Sequence, residues 1–166
     1  VYTYRKLHLF DREKLLFLPG DRSPEVQYIK GVKIGIMICF DWIFPETMRV
    51  LSLSGAQIIC HPSNLVLSYC QQAMLTRCLE NNVFAITANR FGTERRPHGS
   101  LRFTGKSQIV APRGILLHRA CSQKEQLTVI EIDPQLARNK KITNHNDLFK
   151  DRRNELYGII CSKKRF

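Results

Sequence analysis

The position with most chemical potential in this sequence is a cysteine where an apolar run meets a proline-headed helix. Cys39 closes the run Val32, Ile34, Ile36, Met37 and Ile38, and Phe40, Asp41, Trp42, Ile43 and Phe44 lead from it to Pro45. A strand-to-helix junction of this kind brings a side chain to the carboxyl end of a sheet, where open α/β sheets place their sites. Backbone N–H groups beside it, that of Phe40 first, can hold a developing oxyanion. A thiol there can attack an acyl carbon, as thiolate, and a nearby ammonium favours that form. The same position also suits an inert core cysteine, so Cys39 needs a partner before it means catalysis. Cys60 is the competing thiol because His61 follows it. In an extended segment, however, successive side chains point to opposite faces, which keeps His61 from turning onto its neighbour's sulfur.

Stepping outward, the elements that must hold Cys39 alternate between strand and helix. Residues 28–39 form an apolar strand suited to burial on both faces, with a glycine-containing turn before it. Pro45 and Glu46 open a helix that runs to Ser54 and stops at Gly55. Residues 56–60 form a short strand and residues 61–64 a turn. A helix follows over about 71–82, with Leu75, Cys78 and Leu79 as its core stripe. Residues 83–88 return as a strand. Beyond a polar loop over 91–103, residues 107–111, 114–119 and 127–132 form three more strands, and residues 134–140 a short helix. The remainder, about 141–166, is a charged extension. The fold class is α/β, passing into a strand-rich second half.

Composition narrows the function. The chain has 166 residues and 43% hydrophobic content, enough for one domain with a buried core. Its apolar runs are far shorter than the roughly 20 residues that span a bilayer, so no membrane partner is expected. The six cysteines form no CxxC pair, which argues against a structural metal, and their placement in apolar runs suits a reducing, cytoplasmic setting. A net charge of +12 invites a nucleic-acid reading. The basic residues are dispersed, however, with small clusters at Arg95 and Arg96, Lys140 and Lys141, Arg152 and Arg153, and residues 163–165. No recognition motif accompanies them, so a solvated surface is the expectation and nucleic acid is not the expected partner.

The motifs resemble one family throughout. Tyr4-Arg5-Lys6-Leu7-His8-Leu9-Phe10 is similar to the lysine motif of the nitrilase superfamily of carbon-nitrogen hydrolases, and Gly35-Ile36-Met37-Ile38-Cys39-Phe40-Asp41 to its cysteine motif. They occur in the family's order and at its spacing. Phe44-Pro45-Glu46, His61-Pro62-Ser63-Asn64, Leu79-Glu80-Asn81, Ala88-Asn89-Arg90 and Gly105-Lys106-Ser107 continue the resemblance, as does the tail from Asn146 to Arg153. It implies a nitrilase-like αββα sandwich whose N-terminal portion is missing here, so that residues 1–166 are a partial carbon-nitrogen hydrolase domain. It also implies a Glu-Lys-Cys catalytic set. Cys39 matches the nucleophile and Lys6 the lysine that stabilises the tetrahedral intermediate. Glu13 matches a second glutamate that helps position lysine and substrate. The general-base glutamate belongs N-terminal to the lysine motif, where only residues 1–5 stand. Phe40, Asp41, Trp42 and Asn64 are expected near the substrate, and Arg90 near the pocket or in an ion pair.

The activity implied is amidase- or nitrilase-type hydrolysis of a small amide, N-carbamoyl compound or nitrile through a thioester intermediate, without a metal or organic cofactor. The resemblance further implies a homo-oligomer, a dimer or higher, with the tail wrapping a neighbouring subunit. The alternative is that the chain as given is a truncated, catalytically silent fragment or interaction module lacking its general base. Uncovered sheet edges and apolar faces would then favour pairing with another chain.

Overall fold

The structure is a computed structural model and describes residues 2–97 and 99–162. The basic cluster at residues 163–165 lies outside the described residues.

The apolar run before Cys39 folds as a hairpin rather than one strand. Strands β1 (Gln27–Ile29) and β2 (Val32–Ile36) pair antiparallel across a turn at Lys30 and Gly31. Both turn residues have positive φ, 47° and 83°, the backbone a two-residue hairpin turn demands. The next units are right for a parallel sheet: α2 (Pro45–Leu53) connects β2 to β3 (Ile58–Ser63), and α3 (Cys70–Asn81) connects β3 to β4 (Phe84–Asn89). A four-residue helix, α1 (Glu13–Leu16), precedes them all. Pro45 stands at the first turn of α2, where its missing N–H costs nothing, and Asn82 ends α3 in the left-handed region at φ 47°.

After β4 the chain makes a separate two-stranded hairpin, β5 (Phe91–Arg96) with β6 (Gly99–Thr104), before returning to the main sheet. Strands β7 (Gln108–Ala111) and β8 (Ile115–Arg119) are added antiparallel, giving the order β1-β2-β3-β4-β7-β8. Period-two alternation divides the central strands between two faces. Ile59, Ala85 and Val110 join Met48 and Leu51 of α2 and Met74 and Cys78 of α3 in the main core. Ile58, Phe84 and Ala111 point the other way, against Ala137 and Ile132. That second face is only partly covered, and Ile86 in the middle of the sheet is 37% exposed. Gly35 in β2 permits the close fit on the first face. A Cβ there would sit 2.9 Å from Ile59 and 3.1 Å from Leu51.

Four further local expectations are corrected. β3 continues through His61 and Pro62 to Ser63, where a turn was expected, because its ladder with β4 extends to Ser63 opposite Asn89. Residues 91–96 and 99–103 form a hairpin rather than a loop: most of their side chains are exposed, so their polarity reflects a wetted ribbon rather than an absence of pairing. Residues 127–132 make no strand; Leu127 and Val129 are about nine-tenths exposed, and no neighbouring strand takes up their backbone groups among the described residues. Residues 134–140 shrink to one 3-10 turn, Pro134–Ala137, with the Asp133 side chain capping Gln135. The tail folds back on its own helices. Lys140 Nζ donates to the carbonyls of Asn81 and Asn82 at the end of α3, at 2.8 and 2.9 Å, and Phe149 lies beneath Arg49 and Lys140.

Candidate active site

Cys39 begins the 3-10 turn Cys39–Ile43 with φ at 46°, a left-handed backbone that a cysteine adopts only when its surroundings impose it. Two groups impose it. The carbonyl of Cys39 accepts from His61 Nε2 at 2.9 Å, reaching across from β3. Asp41, two residues on, folds its carboxylate back to accept from the N–H of Ile38 at 2.9 Å. His61 is almost completely buried, and burial lowers its imidazole below the ordinary histidine value, opposed by the bond to Cys39. A neutral ring fits its partners: Nε2–H donates to the Cys39 carbonyl, and Nδ1 accepts from the Thr87 hydroxyl at 3.2 Å.

Asp41 also fastens the lysine segment to this turn. Its carboxylate accepts from the Tyr4 hydroxyl at 2.8 Å, the His8 N–H at 3.0 Å and His8 Nδ1 at 2.9 Å. With Ile38 that makes four donors on two oxygens of a fully buried side chain. Burial, then the Asp41 charge, push the Tyr4 phenol far up, so it remains a donor. His8 stacks on Phe44 with centroids 3.7 Å apart, and Phe10 meets Phe40 edge-on at 5.0 Å. Lys6 stands between Tyr4 and His8 in this fastened segment.

Lys6 is not left free there. Its ammonium pairs with the carboxylate of Glu13, whose Oε2 also accepts from the N–H of Phe10 at 2.7 Å. The Lys6 carbonyl accepts from Gly20 at 2.8 Å, an approach so close that a Cβ on Gly20 would lie 2.4 Å from the Arg5 oxygen. Lys6, Glu13 and Cys39 thus belong to two segments that Asp41 and the aromatic contacts clamp together. Phe10, Cys39, Phe40, Trp42 and Asn64 line a narrow cleft with residues 65–67, with a volume of about 20 Å³, room for roughly one water.

Of the expected substrate neighbours, Phe40, Trp42 and Asn64 reach this cleft and Asp41 does not. Trp42 is 4% exposed and mostly core. Arg90 pairs with Glu94 at 2.8 Å and lies over Phe103, away from the cleft lining. Cys60 does not line this cleft, and burial raises its thiol above the ordinary value, as it does for Cys70 and Cys78. The groups sequence reasoning missed are Tyr4, His8, His61 and Arg77. Arg77, from α3, donates to the carbonyls of Trp42 and Ile43 that end the 3-10 turn. Tyr4 and His8 flank Lys6 at alternate positions, and that alternation was a usable signal. His61 stands in a family motif, but its bond to the Cys39 carbonyl, like those of Arg77, is a long-range contact that the sequence does not reveal. No group of three or more potential metal ligands occurs among the described residues.

The carbon-nitrogen hydrolase family model matches residues 1–142. The chain belongs to the carbon-nitrogen hydrolase family. It is 51% identical over 154 residues to a nitrilase of Pyrococcus abyssi, across 93% of this chain and 57% of that protein. The chain thus spans little more than half the length of this curated relative. Among solved structures it is similar to a carbon-nitrogen hydrolase from Helicobacter pylori G27, with TM-score 0.87 and 27% identity over 98% of this chain and 61% of that one. It is also similar, at TM-score 0.79 and 27% identity, to a mutant amidase from Nesterenkonia sp. AN1. That structure shows the acetamide moiety of fluoroacetamide added covalently at the active-site cysteine; the match covers 96% of this chain and 56% of that one. The nitrilase-type α/β fold expected from the motifs is the fold found.

Proposed function

We propose that this chain carries the nucleophile and lysine of a hydrolase that cleaves small amides, N-carbamoyl compounds or nitriles, with Cys39 as the attacking group. The observation that carries the reading is the Cys39 turn itself: a left-handed cysteine at the end of β2, fixed by His61 and Asp41 and opening on a cleft. The sulfur adds to the carbonyl carbon of an amide, and the resulting oxyanion is met by the Lys6 ammonium and the Phe40 N–H. As the C–N bond breaks, the nitrogen takes a proton and leaves as ammonia or an amine. Water then attacks the thioester, releasing the carboxylic acid and the thiol.

Glu13 serves as a positioning residue, because its carboxylate holds Lys6 and the Phe10 N–H at once. The base that takes the thiol proton and later activates water is a carboxylate we assign to the portion of the relatives that this chain does not span. Residues 1 to about 140 form the hydrolase segment in this reading, and the rest is an extension. The amide reading leads the nitrile reading only through the cysteine adduct seen in the related amidase.

Fluoroacetamide is accordingly the test probe, since displacement of fluoride by the Cys39 sulfur needs no deacylating water. Intact-mass analysis should find one acetamide moiety added to the wild-type chain and none to Cys39→Ala. Equal labelling of a folded Cys39→Ala protein would overturn Cys39 as the nucleophile. No labelling of either protein would favour the catalytically silent fragment.

A further inference from the structure

A second hollow, larger than the cleft at Cys39, opens elsewhere on the described structure. It has a volume of about 440 Å³, within the usual range for small-molecule sites. Its walls come from Val66 and Ser68, the first turn of α3, the end of β6, and Arg119 of β8. Three cations line it, Arg102, Lys106 and Arg119, and no acidic side chain does. None of the three forms an ion pair among the described residues.

Arg119 is held without being neutralised. Its Nε and Nη2 donate to the Gln108 side-chain oxygen at 3.0 and 2.9 Å. Gln108 is 2% exposed and is itself fixed, donating from Nε2 to the Gln71 carbonyl at 3.0 Å. The Gln71 side chain in turn donates to Thr104 Oγ1 and the Gly105 carbonyl, at 3.2 and 3.1 Å. A buried neutral carboxamide therefore orients a guanidinium while leaving its charge and its outer N–H groups unmatched among the described residues. Surface arginines that serve solubility alone have no such support, and a fixed fork is what bidentate recognition of carboxylate or phosphate uses.

We propose that this hollow is a binding site for a compact small-molecule dianion, whose carboxylate or phosphate group sits on Arg119 with Lys106 and Arg102 completing the charge. Val66 lines both this hollow and the Cys39 cleft, so the two cavities adjoin. The proposal does not rest on the proposed hydrolysis, since Arg102, Lys106 and Arg119 lie outside the lining of the Cys39 cleft.

Isothermal titration of the chain with inorganic phosphate, with succinate and with neutral butyramide, at constant ionic strength, tests it. Saturable binding of phosphate or succinate but not butyramide is expected, and the tighter of the two identifies the preferred group. Arg119→Gln and Lys106→Gln should each weaken that binding by about tenfold or more, the scale of one lost charge-assisted contact. Arg22→Gln removes the same charge at a residue outside the hollow's lining and should change it by less than about twofold. The Lys106 side chain makes no hydrogen bond among the described residues, so Lys106→Gln remains informative if Arg119→Gln disturbs packing. Unsaturable binding, or equal weakening by Arg22→Gln, would mean that net charge alone attracts the anion and would overturn the proposal.

Discussion

Two charged regions of this molecule are held in opposite ways. The Asp41 carboxylate is fully buried, and four donors from three residues close around it. The cations of the hollow near β8 are open to solvent, and the best supported of them, Arg119, is oriented by a neutral amide and matched by no anion among the described residues. The first arrangement is complete within the chain and makes structure: it joins the lysine segment to the cysteine turn. The second is incomplete within the chain, which is the condition for binding something else. Burial of a charge is tolerable only with full hydrogen bonding, whereas an exposed cation keeps its hydration until a ligand replaces it.

Removing the charge in each region should separate them sharply. Asp41→Ala leaves the Tyr4 hydroxyl, two His8 groups and the Ile38 N–H without their acceptor, and a loss of about 3–5 kcal/mol is expected from breaking so buried a network. Urea denaturation measures it directly. A loss below about 1 kcal/mol would mean that water enters and replaces the carboxylate, and the clamp would then be weaker than its geometry suggests.

His61 stands next in expected size. His61→Gln keeps a donor for the Cys39 carbonyl but loses the ring's fit between Cys39 and Thr87, a cost of about 2 kcal/mol. It also carries a pH signature. Because burial lowers the folded-state value of His61 below its unfolded value, the unfolded chain takes up a proton that the folded chain resists. The stability it contributes is complete above the unfolded histidine value of about 6.5 and is lost as pH falls through it toward the folded value. The wild-type chain should therefore lose stability over that acidic interval more steeply than His61→Gln. Identical slopes would show that the imidazole is not held neutral.

These residues also mark how far the sequence could be followed. The cysteine at a strand end, the proline-headed helix and the lysine motif were legible because each depends on neighbours a few positions away. Asp41 was expected near substrate, yet it lies beneath the turn; its four donors come from residues 4, 8 and 38, and only the fold reveals that convergence. The hairpin of β5 and β6 was missed because the exposure of most of its side chains erases the apolar alternation on which strand recognition rests. Residues 127–132 failed in the reverse sense: they have a strand's composition, but composition supplies no partner for the backbone.

Tyr4→Phe tests the same clamp more gently. It removes one donor of four and leaves the ring in place, so about 1 kcal/mol of stability should be lost, with Asp41 still held by His8 and Ile38. Thermal unfolding beside Asp41→Ala would show whether the network weakens stepwise. A cost for Tyr4→Phe as large as for Asp41→Ala would mean that the four bonds act as one unit.

The smallest effect is expected in the open region, and it is the sharpest check on the contrast. Lys106→Gln removes a charge whose side chain is exposed and makes no hydrogen bond among the described residues. It also relieves some repulsion from Arg102 and Arg119 across the hollow. Stability should change by less than about 0.5 kcal/mol, with a slight gain at low salt that fades as ionic strength rises. A clear destabilisation would show that Lys106 is engaged in the fold, in the manner of Asp41. A neutral change, set beside weakened phosphate or succinate binding, would place the charge where the fold does not need it and a ligand does.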